Sequence, residues 1–319
     1  MIPIDGYDNG IYAIDAQFGR PMCAAIHFVV DHGHAAIIDT AHNASIERTL
    51  QAVAQLGLTR EDVDYICLTH VHLDHAGAAG ALMREFGKAK LIVHPHGARH
   101  MIDPSRLLDG VRAVYGDAET KRVYGELLSV PEERVIAAPD EMPIQLGNRE
   151  LICLDTPGHA RHHLCYYDKT ANAIFTGDVF GLSYRELDVD GRQSVLVSSS
   201  PVQFDPQAMH DSIQRLLALR PNVLYLTHFS QLREPTAHGD DLHRLIDAYV
   251  AVAEQAGPDG EERCQRIVDG LWRIYDAEAQ RQGWTLPRDE MRALLAVDAQ
   301  LSAQGLDVWL KSRAKKRKD

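Results

Sequence analysis

The stretch Thr69-His70-Val71-His72-Leu73-Asp74-His75-Ala76-Gly77 packs three histidines and an aspartate into six consecutive positions, 70 to 75. Imidazole nitrogens and carboxylate oxygens are the ligand types for Zn, Fe or Mn, and three or four of them converging make a metal site. The stretch follows an apolar run, Val63-Asp64-Tyr65-Ile66-Cys67-Leu68, that reads as a buried strand. In an extended chain alternate side chains share a side. His70, His72 and Asp74 are therefore expected to point together, with Val71 and Leu73 packing the other way and His75 reaching a second point in space.

Three further strands run into candidate ligands. The strand residues 150–155 lead into Thr156-Pro157-Gly158-His159, Ala173-Ile174-Phe175 into Thr176-Gly177-Asp178, and Val223-Leu224-Tyr225-Leu226 into Thr227-His228. Strand ends gather along one edge of a sheet, where rigid elements hold ligands and loops shape a pocket. His70, His159, Asp178 and His228 each occupy such an end.

The elements that must position them follow from periodicity and turn chemistry. Residues 11–14, 23–30 and 35–39 read as three successive strands, with turns at Gly19-Arg20-Pro21 and Asp31-His32-Gly33-His34. Ser45 is placed to cap a helix running to about Gly57, and residues 76–86 read as a helix of small residues packed on a sheet. Residues 91–93 form a short strand, and 98–128 read as irregular helix interrupted at Pro104. A second strand-rich block begins near Val135 and includes 164–167; residues 179–205 form a long loop, and 206–219 a helix. Residues 241–256, 261–282 and 288–304 read as helices. The division expected is a catalytic domain over 1–239 and a helical appendage over 240–319, whose basic end, Lys311 to Asp319, reads as a solvated tail.

At 319 residues and 45% hydrophobic composition the chain can build a real core. Its formal net charge of −12 argues against a protein that lives on nucleic-acid phosphates. No apolar run is long enough to span a bilayer, and the start lacks a basic region followed by an apolar one. The five cysteines are odd in number, form no Cys-x-x-Cys pair and read as small buried hydrophobes of a reducing, cytoplasmic compartment. A small-molecule substrate is expected, with no nucleic-acid and no membrane partner; a homodimer is compatible with this reading.

In that order, His70-x-His72-x-Asp74-His75, Thr156-Pro157-Gly158-His159, Thr176-Gly177-Asp178 and Thr227-His228 resemble the metallo-β-lactamase superfamily over roughly residues 10–230. The wording of the later motifs is most similar to the glyoxalase II-like (hydroxyacylglutathione hydrolase) branch and related lactonases. The resemblance implies an α+β fold, an αββα four-layer sandwich of two mixed β-sheets, here with a C-terminal helical appendage. It implies two divalent ions per chain, Zn first with Fe or Mn as alternatives. His70, His72 and His159 would hold one, Asp74, His75 and His228 the other, and Asp178 would bridge them. The third motif is followed by Ala160-Arg161-His162-His163, where glyoxalase II-like chains carry a small residue and a Gly before another polar residue.

Two such ions about 3.5 Å apart lower the pKa of a shared water toward about 7. The reaction expected is hydrolysis of an ester, thioester or lactone carbonyl, with Asp74 also available as a proton relay. Tyr184 and Arg185 are the candidate substrate contacts, through a phenol and a guanidinium, and His162 and His163 are candidates for supporting hydrogen bonds. The competing readings are a mononuclear iron persulfide dioxygenase and a phosphodiesterase of the same fold.

Overall fold

Short runs of apolar residues, many buried on both faces, build two sheets. The computed structural model describes residues 1–199 and 202–316. The first sheet contains β1 (Asp5–Tyr7), β2 (Ile11–Asp15), β3 (Ala25–Asp31), β4 (His34–Ile38), β5 (Val63–Cys67), β6 (Lys90–Val93) and β7 (Val135–Ala137), in that spatial order. It is antiparallel from β1 to β4 and parallel from β4 to β7. The second contains β8 (Pro143–Leu146), β9 (Arg149–Asp155), β10 (Leu164–Asp168), β11 (Ala173–Gly177), β12 (Val223–Leu226) and β13 (Ser230–Leu232), ordered β13-β12-β11-β10-β9-β8. β11 and β12 have a parallel register, and β8 to β11 are antiparallel.

The pleat sorts each strand's side chains between two cores. On β4, Ala35 and Ile37 face helices while Ala36 and Ile38 face the second sheet; on β6, Leu91 and Val93 face helices and Ile92 faces the sheet. The helix-side core adds Ala52 and Val53 of α1 (Ile46–Gln55), Ala76 of α2 (Leu73–Ala76), Leu82 and Met83 of α3 (Ala79–Glu85) and Met101 of α4 (Pro95–Ile102). Two more helices, α5 (Ser105–Tyr115) and α6 (Asp117–Tyr124), complete this run, which breaks at Pro104 as its chemistry requires. The inter-sheet core joins Val29, Ile38, Cys67 and Ile92 to Leu151, Cys153, Tyr166, Phe175 and Tyr225. Two mixed sheets, face to face with flanking helices, are the expected sandwich.

The chain groups into two compact units. The first takes Met1–Asp155, His162–Gly177 and Pro221–Gln231, and so holds nearly all of both sheets. The second takes Thr156–Arg161, Asp178–Arg220 and the chain from Leu232 on. Its helices are α7 (Pro206–Ala218), α8 (Pro235–Gln255), α9 (Glu261–Gln282) and α10 (Arg288–Lys316). Asp205 caps α7 by accepting from Ala208 N at 3.2 Å, and Pro206 takes the first turn, where no N–H is needed. Tyr249 and Tyr275 share a hydroxyl hydrogen bond of 3.1 Å between α8 and α9, and Arg263 reaches Asp307 at 2.6 Å between α9 and α10.

Several boundaries differ from the sequence reading. α8 begins at Pro235, several residues earlier, because Pro235 opens its first turn; α10 continues through Gly305, where the sequence reading ends it, to Lys316. The short edge strands β1 and β13 carry too few residues for a visible period. Of the basic tail, residues 317–319 lie outside the described residues, as do residues 200 and 201 of the long loop. Lys311 and Arg313 instead pair with Asp307, at 2.8 Å, and with Glu254.

His27 of β3 gives the fold a pH dependence. It is 1% exposed, lies edge-on to Phe175 and Tyr225, and its Nε2 is 3.1 Å from Ser230 Oγ. Burial pushes its pKa down from 6.5 to about 4, the Asp39 charge opposing in part. Below pH 6.5 the unfolded chain takes a proton that the native chain refuses until about pH 4. This contribution is whole above pH 6.5 and is lost as pH falls toward 4, by roughly 3 kcal/mol at ~1.4 kcal/mol per unit. Urea unfolding of the metal-free chain at pH 7 and pH 4.5 is expected to show a shallower pH dependence for His27→Gln than for the natural chain.

Candidate metal centre

In the first unit, β4, β5 and β12 end beside one another and hand on to Asp39, Thr69-His70 and Thr227-His228. The expected alternation through Asp74 does not hold. β5 stops at Cys67, His72 is still extended (φ −64°, ψ 149°), and the chain then turns into α2, which makes Asp74 and His75 consecutive residues of one helical turn. Small residues permit that turn. Thr40 N bonds His75 O at 2.7 Å and Ala78 N bonds Ala41 O at 3.1 Å, so a Cβ on Gly77 would stand 2.9 Å from Ala41 O.

Asp39 is the anchor of this edge. It is 1% exposed, and its carboxylate accepts from Thr69 N (2.8 Å), Thr69 Oγ1 (2.8 Å), Thr227 Oγ1 (2.7 Å) and His75 Nδ1 (2.8 Å). A carboxylate only accepts, so His75 carries its proton on Nδ1 and presents Nε2 as an acceptor. His228 does the same by another route: its Nδ1 donates to Cys23 O at 2.7 Å. Both Nε2 atoms turn to Asp74 Oδ2, at 3.6 Å from His75 and 3.4 Å from His228. One ligand atom from each of Asp74, His75 and His228 lies within 4.8 Å of the others. Two imidazole acceptors facing a carboxylate oxygen lack a proton among them; a divalent cation supplies what that donor set requires, so the residues fit a metal ion.

His70 and His72 lie beside this group. His70 Nε2 is 2.9 Å from His72 Nδ1, and the His70 and His75 ring centroids are 3.9 Å apart. His163 is fully buried with its ring stacked on His70 at 5.1 Å, and His162 lies 6.2 Å from His70 at 15°. The Thr-Gly-Asp motif needs its glycine here. Gly177 has φ +50°, and a Cβ would stand 2.6 Å from His163 Nε2 and 2.7 Å from Thr69 Cβ.

In the second unit, His159 and Asp178 face each other, Nε2 to Oδ2, at 3.6 Å. Gly158, at φ +139°, lets the Thr-Pro-Gly-His loop press against Met209 of α7, whose N a Cβ would meet at 2.5 Å. His159 Nδ1 donates to Ser198 O at 3.0 Å, and Ser198 Oγ donates to Asp178 Oδ2 at 3.3 Å. Tyr184 is buried, 3% exposed, with its hydroxyl on Asp298 Oδ1 of α10 at 3.2 Å. Arg185 turns back on its own loop, to Ser183 O at 2.6 Å and Asp188 at 3.4 Å.

The profile of the metallo-beta-lactamase superfamily matches residues 24–228, which span every histidine and aspartate of both groups. The chain belongs to this superfamily. A metallo-beta-lactamase fold-containing protein of Sulfurisphaera tokodaii is 28% identical over 172 residues, 53% of this chain and 61% of that protein. A hydroxyacylglutathione hydrolase of Thermosynechococcus vestitus is 31% identical over 189 residues, 59% of this chain and 55% of the relative. The chain thus spans less than two thirds of the length of these two relatives. In three dimensions, a metallo-beta-lactamase family protein of Thermus thermophilus superposes with a TM-score of 0.65 at 19% identity, covering 96% of this chain and 94% of the other. That likeness is one of fold. As a member of the superfamily the chain carries histidines and aspartates that fit metal.

Asp39, Ser198 and the Cys23 carbonyl were not singled out by the sequence. Asp39 had a usable signal, since it ends the apolar run 35–38 just as His70 and His228 follow theirs. Ser198 lies in an aperiodic loop, and the Cys23 contact is made by backbone; neither leaves a mark in residue type.

Proposed function

We propose that this chain is a metal-dependent hydrolase of small-molecule esters, thioesters or lactones, working with two divalent ions. His70, His72 and His159 would hold one ion, Asp74, His75 and His228 the other, and Asp178 would serve both. The observation that carries this reading is the convergence of Asp74 Oδ2 with two imidazole Nε2 atoms whose Nδ1 protons are spent on Asp39 and Cys23 O. The relative named as a hydroxyacylglutathione hydrolase supports a thioester among the substrates. Imidazole and carboxylate donors suit Zn, with Fe and Mn within the same preference.

Divalent ions at such a site act as Lewis acids and bring the pKa of water toward 7. The residues do the rest. Asp39 keeps the His75 ring in one tautomer and one orientation, and Cys23 O does so for His228. Asp74, with a side chain 27% exposed, has a second carboxylate oxygen from which a proton can pass between the attacking water and the leaving group. Buried Thr69, His70, His75 and His163 limit solvent on the protein side.

Among the described residues no helix is long and apolar enough to cross a membrane, and none of the five cysteines is in a disulfide. A cytoplasmic location is part of this proposal, argued from five free cysteines suited to a reducing compartment. The test is a panel of thioesters, lactones and phosphodiesters, assayed with the chain as purified, after chelation, and after Zn, Mn or Fe is restored. Carbonyl-ester cleavage that disappears on chelation and returns with metal is expected. One iron per chain with O2 uptake and no hydrolysis would replace this reading by the dioxygenase one.

A further inference from the structure

We propose that Ser198 is a positioning residue for the ligand pair His159 and Asp178, and that the C-terminal helices hold it in place. The inference rests on the metal-dependent reading above and assigns those helices a part in metal retention.

Ser198 touches both ligands with different atoms. Its carbonyl accepts the His159 Nδ1 proton at 3.0 Å, which makes Nε2 the acceptor of that ring. Its hydroxyl donates to Asp178 Oδ2 at 3.3 Å, which sets the rotation of the carboxylate. One residue therefore fixes the tautomer of an imidazole and the orientation of the carboxylate 3.6 Å from it.

An irregular loop holds such a residue only if something holds the loop. Residues 194–199 are buried throughout although three of the six are serine, so each hydroxyl must find a partner. Those beside Ser198 find them on or next to the C-terminal helices. Ser199 Oγ bonds Ser302 O of α10 at 3.3 Å, and Ser194 Oγ accepts from Trp284 Nε1, just beyond α9, at 2.8 Å. Tyr184, earlier in the loop, reaches Asp298 of α10. Leu182 and Leu196 exchange backbone bonds of 2.9 Å, which ties the Tyr184 arm to the Ser198 arm. Ser198 alone among the three serines directs its hydroxyl to a ligand. The tethered phenol also assigns Tyr184 to loop anchoring, with its hydroxyl on a helix.

The test reads metal retention. The full chain, loaded with Zn, is titrated with a competing chelator as natural protein, Ser198→Ala, Ser198→Thr and Asp298→Ala. Ser198→Ala is expected to hold its more weakly bound ion about 10- to 100-fold less tightly, the range for lost outer partners. Ser198→Thr, which keeps the hydroxyl, is expected to stay within a few-fold of the natural chain. Asp298→Ala is expected to shift the same way as Ser198→Ala by a smaller factor. The metal-free melting temperature checks that each variant folds; if Ser198→Ala does not, Ser198→Cys, of similar size and with only a weak donor, takes its place. Natural protein that binds Zn while Ser198→Ala binds it equally well overturns the positioning role of the Ser198 side chain. An unchanged Asp298→Ala overturns the part given to the helices. A natural chain that takes up no divalent ion overturns the functional proposal, and this inference with it.

Discussion

His75→Ala is expected to cost the chain one of its ions and to lower kcat/KM for any ester it cleaves by more than ~100-fold, the upper figure for loss of a mere outer partner. The residue does two things at once. Its Nε2 faces Asp74 and its Nδ1 occupies a carboxylate oxygen of Asp39. The alanine chain therefore loses a ligand and leaves Asp39 with one donor fewer in a fully buried site. Metal content after dialysis against buffer, measured beside kcat/KM, reads the first effect. Thermal melting in chelator separates it from the second, because the metal-free natural chain lacks the ion as well. An unchanged metal content would remove His75 from the ligand set.

Asp39→Ala is expected to be the most damaging single change to the fold around the site. Its carboxylate accepts from one backbone N–H and three side-chain donors in a region closed to solvent. A buried donor left without a partner costs about 1–3 kcal/mol. Four of them amount to several kcal/mol against a total stability of about 5–15 kcal/mol for a typical domain. Asp39→Asn is the finer probe. It keeps the volume, and its carbonyl still serves Thr69, but its NH2 opposes the His75 Nδ1 proton. The ring relieves that clash by moving its proton to Nε2, the atom the metal needs. Asp39→Asn is accordingly expected to fold, with metal affinity reduced about 10- to 100-fold. Chelator competition and urea unfolding on both variants measure the two effects apart. An asparagine variant that binds metal normally would contradict the orienting role.

Much of this centre is legible in the chain because strand ends are legible. The apolar runs before His70, Asp178 and His228 locate β5, β11 and β12, whereas β4 and β6 are apolar on both faces and the sequence leaves open which side meets the helices. What fails is continuation of that period beyond the strand. From His72 onward backbone turning, allowed by Ala76 and Gly77, sets the direction of Asp74 and His75, and a period of two has no hold on a helical turn. Orienting partners are harder still. Asp39 is read as the last residue of a strand, because an aspartate there serves a turn as readily as a histidine. Ser198 is one serine of several in an irregular loop, and its meaning comes from where Ser194 and Ser199 are tied. The three C-terminal helices are legible by period, whereas their attachment to that loop through Tyr184 and Asp298 depends on contacts over a hundred residues apart in sequence.

Anomalous diffraction from crystals grown with Zn, collected on either side of the metal absorption edge, tests the central claim most directly. A peak within about 2.0–2.2 Å of Asp74 and of Nε2 of His75 and His228 is predicted, with a second ion bound by His70, His72 and His159. Peaks found only at other residues, or Nε2 atoms of His75 and His228 carrying protons and touching no ion, would contradict it.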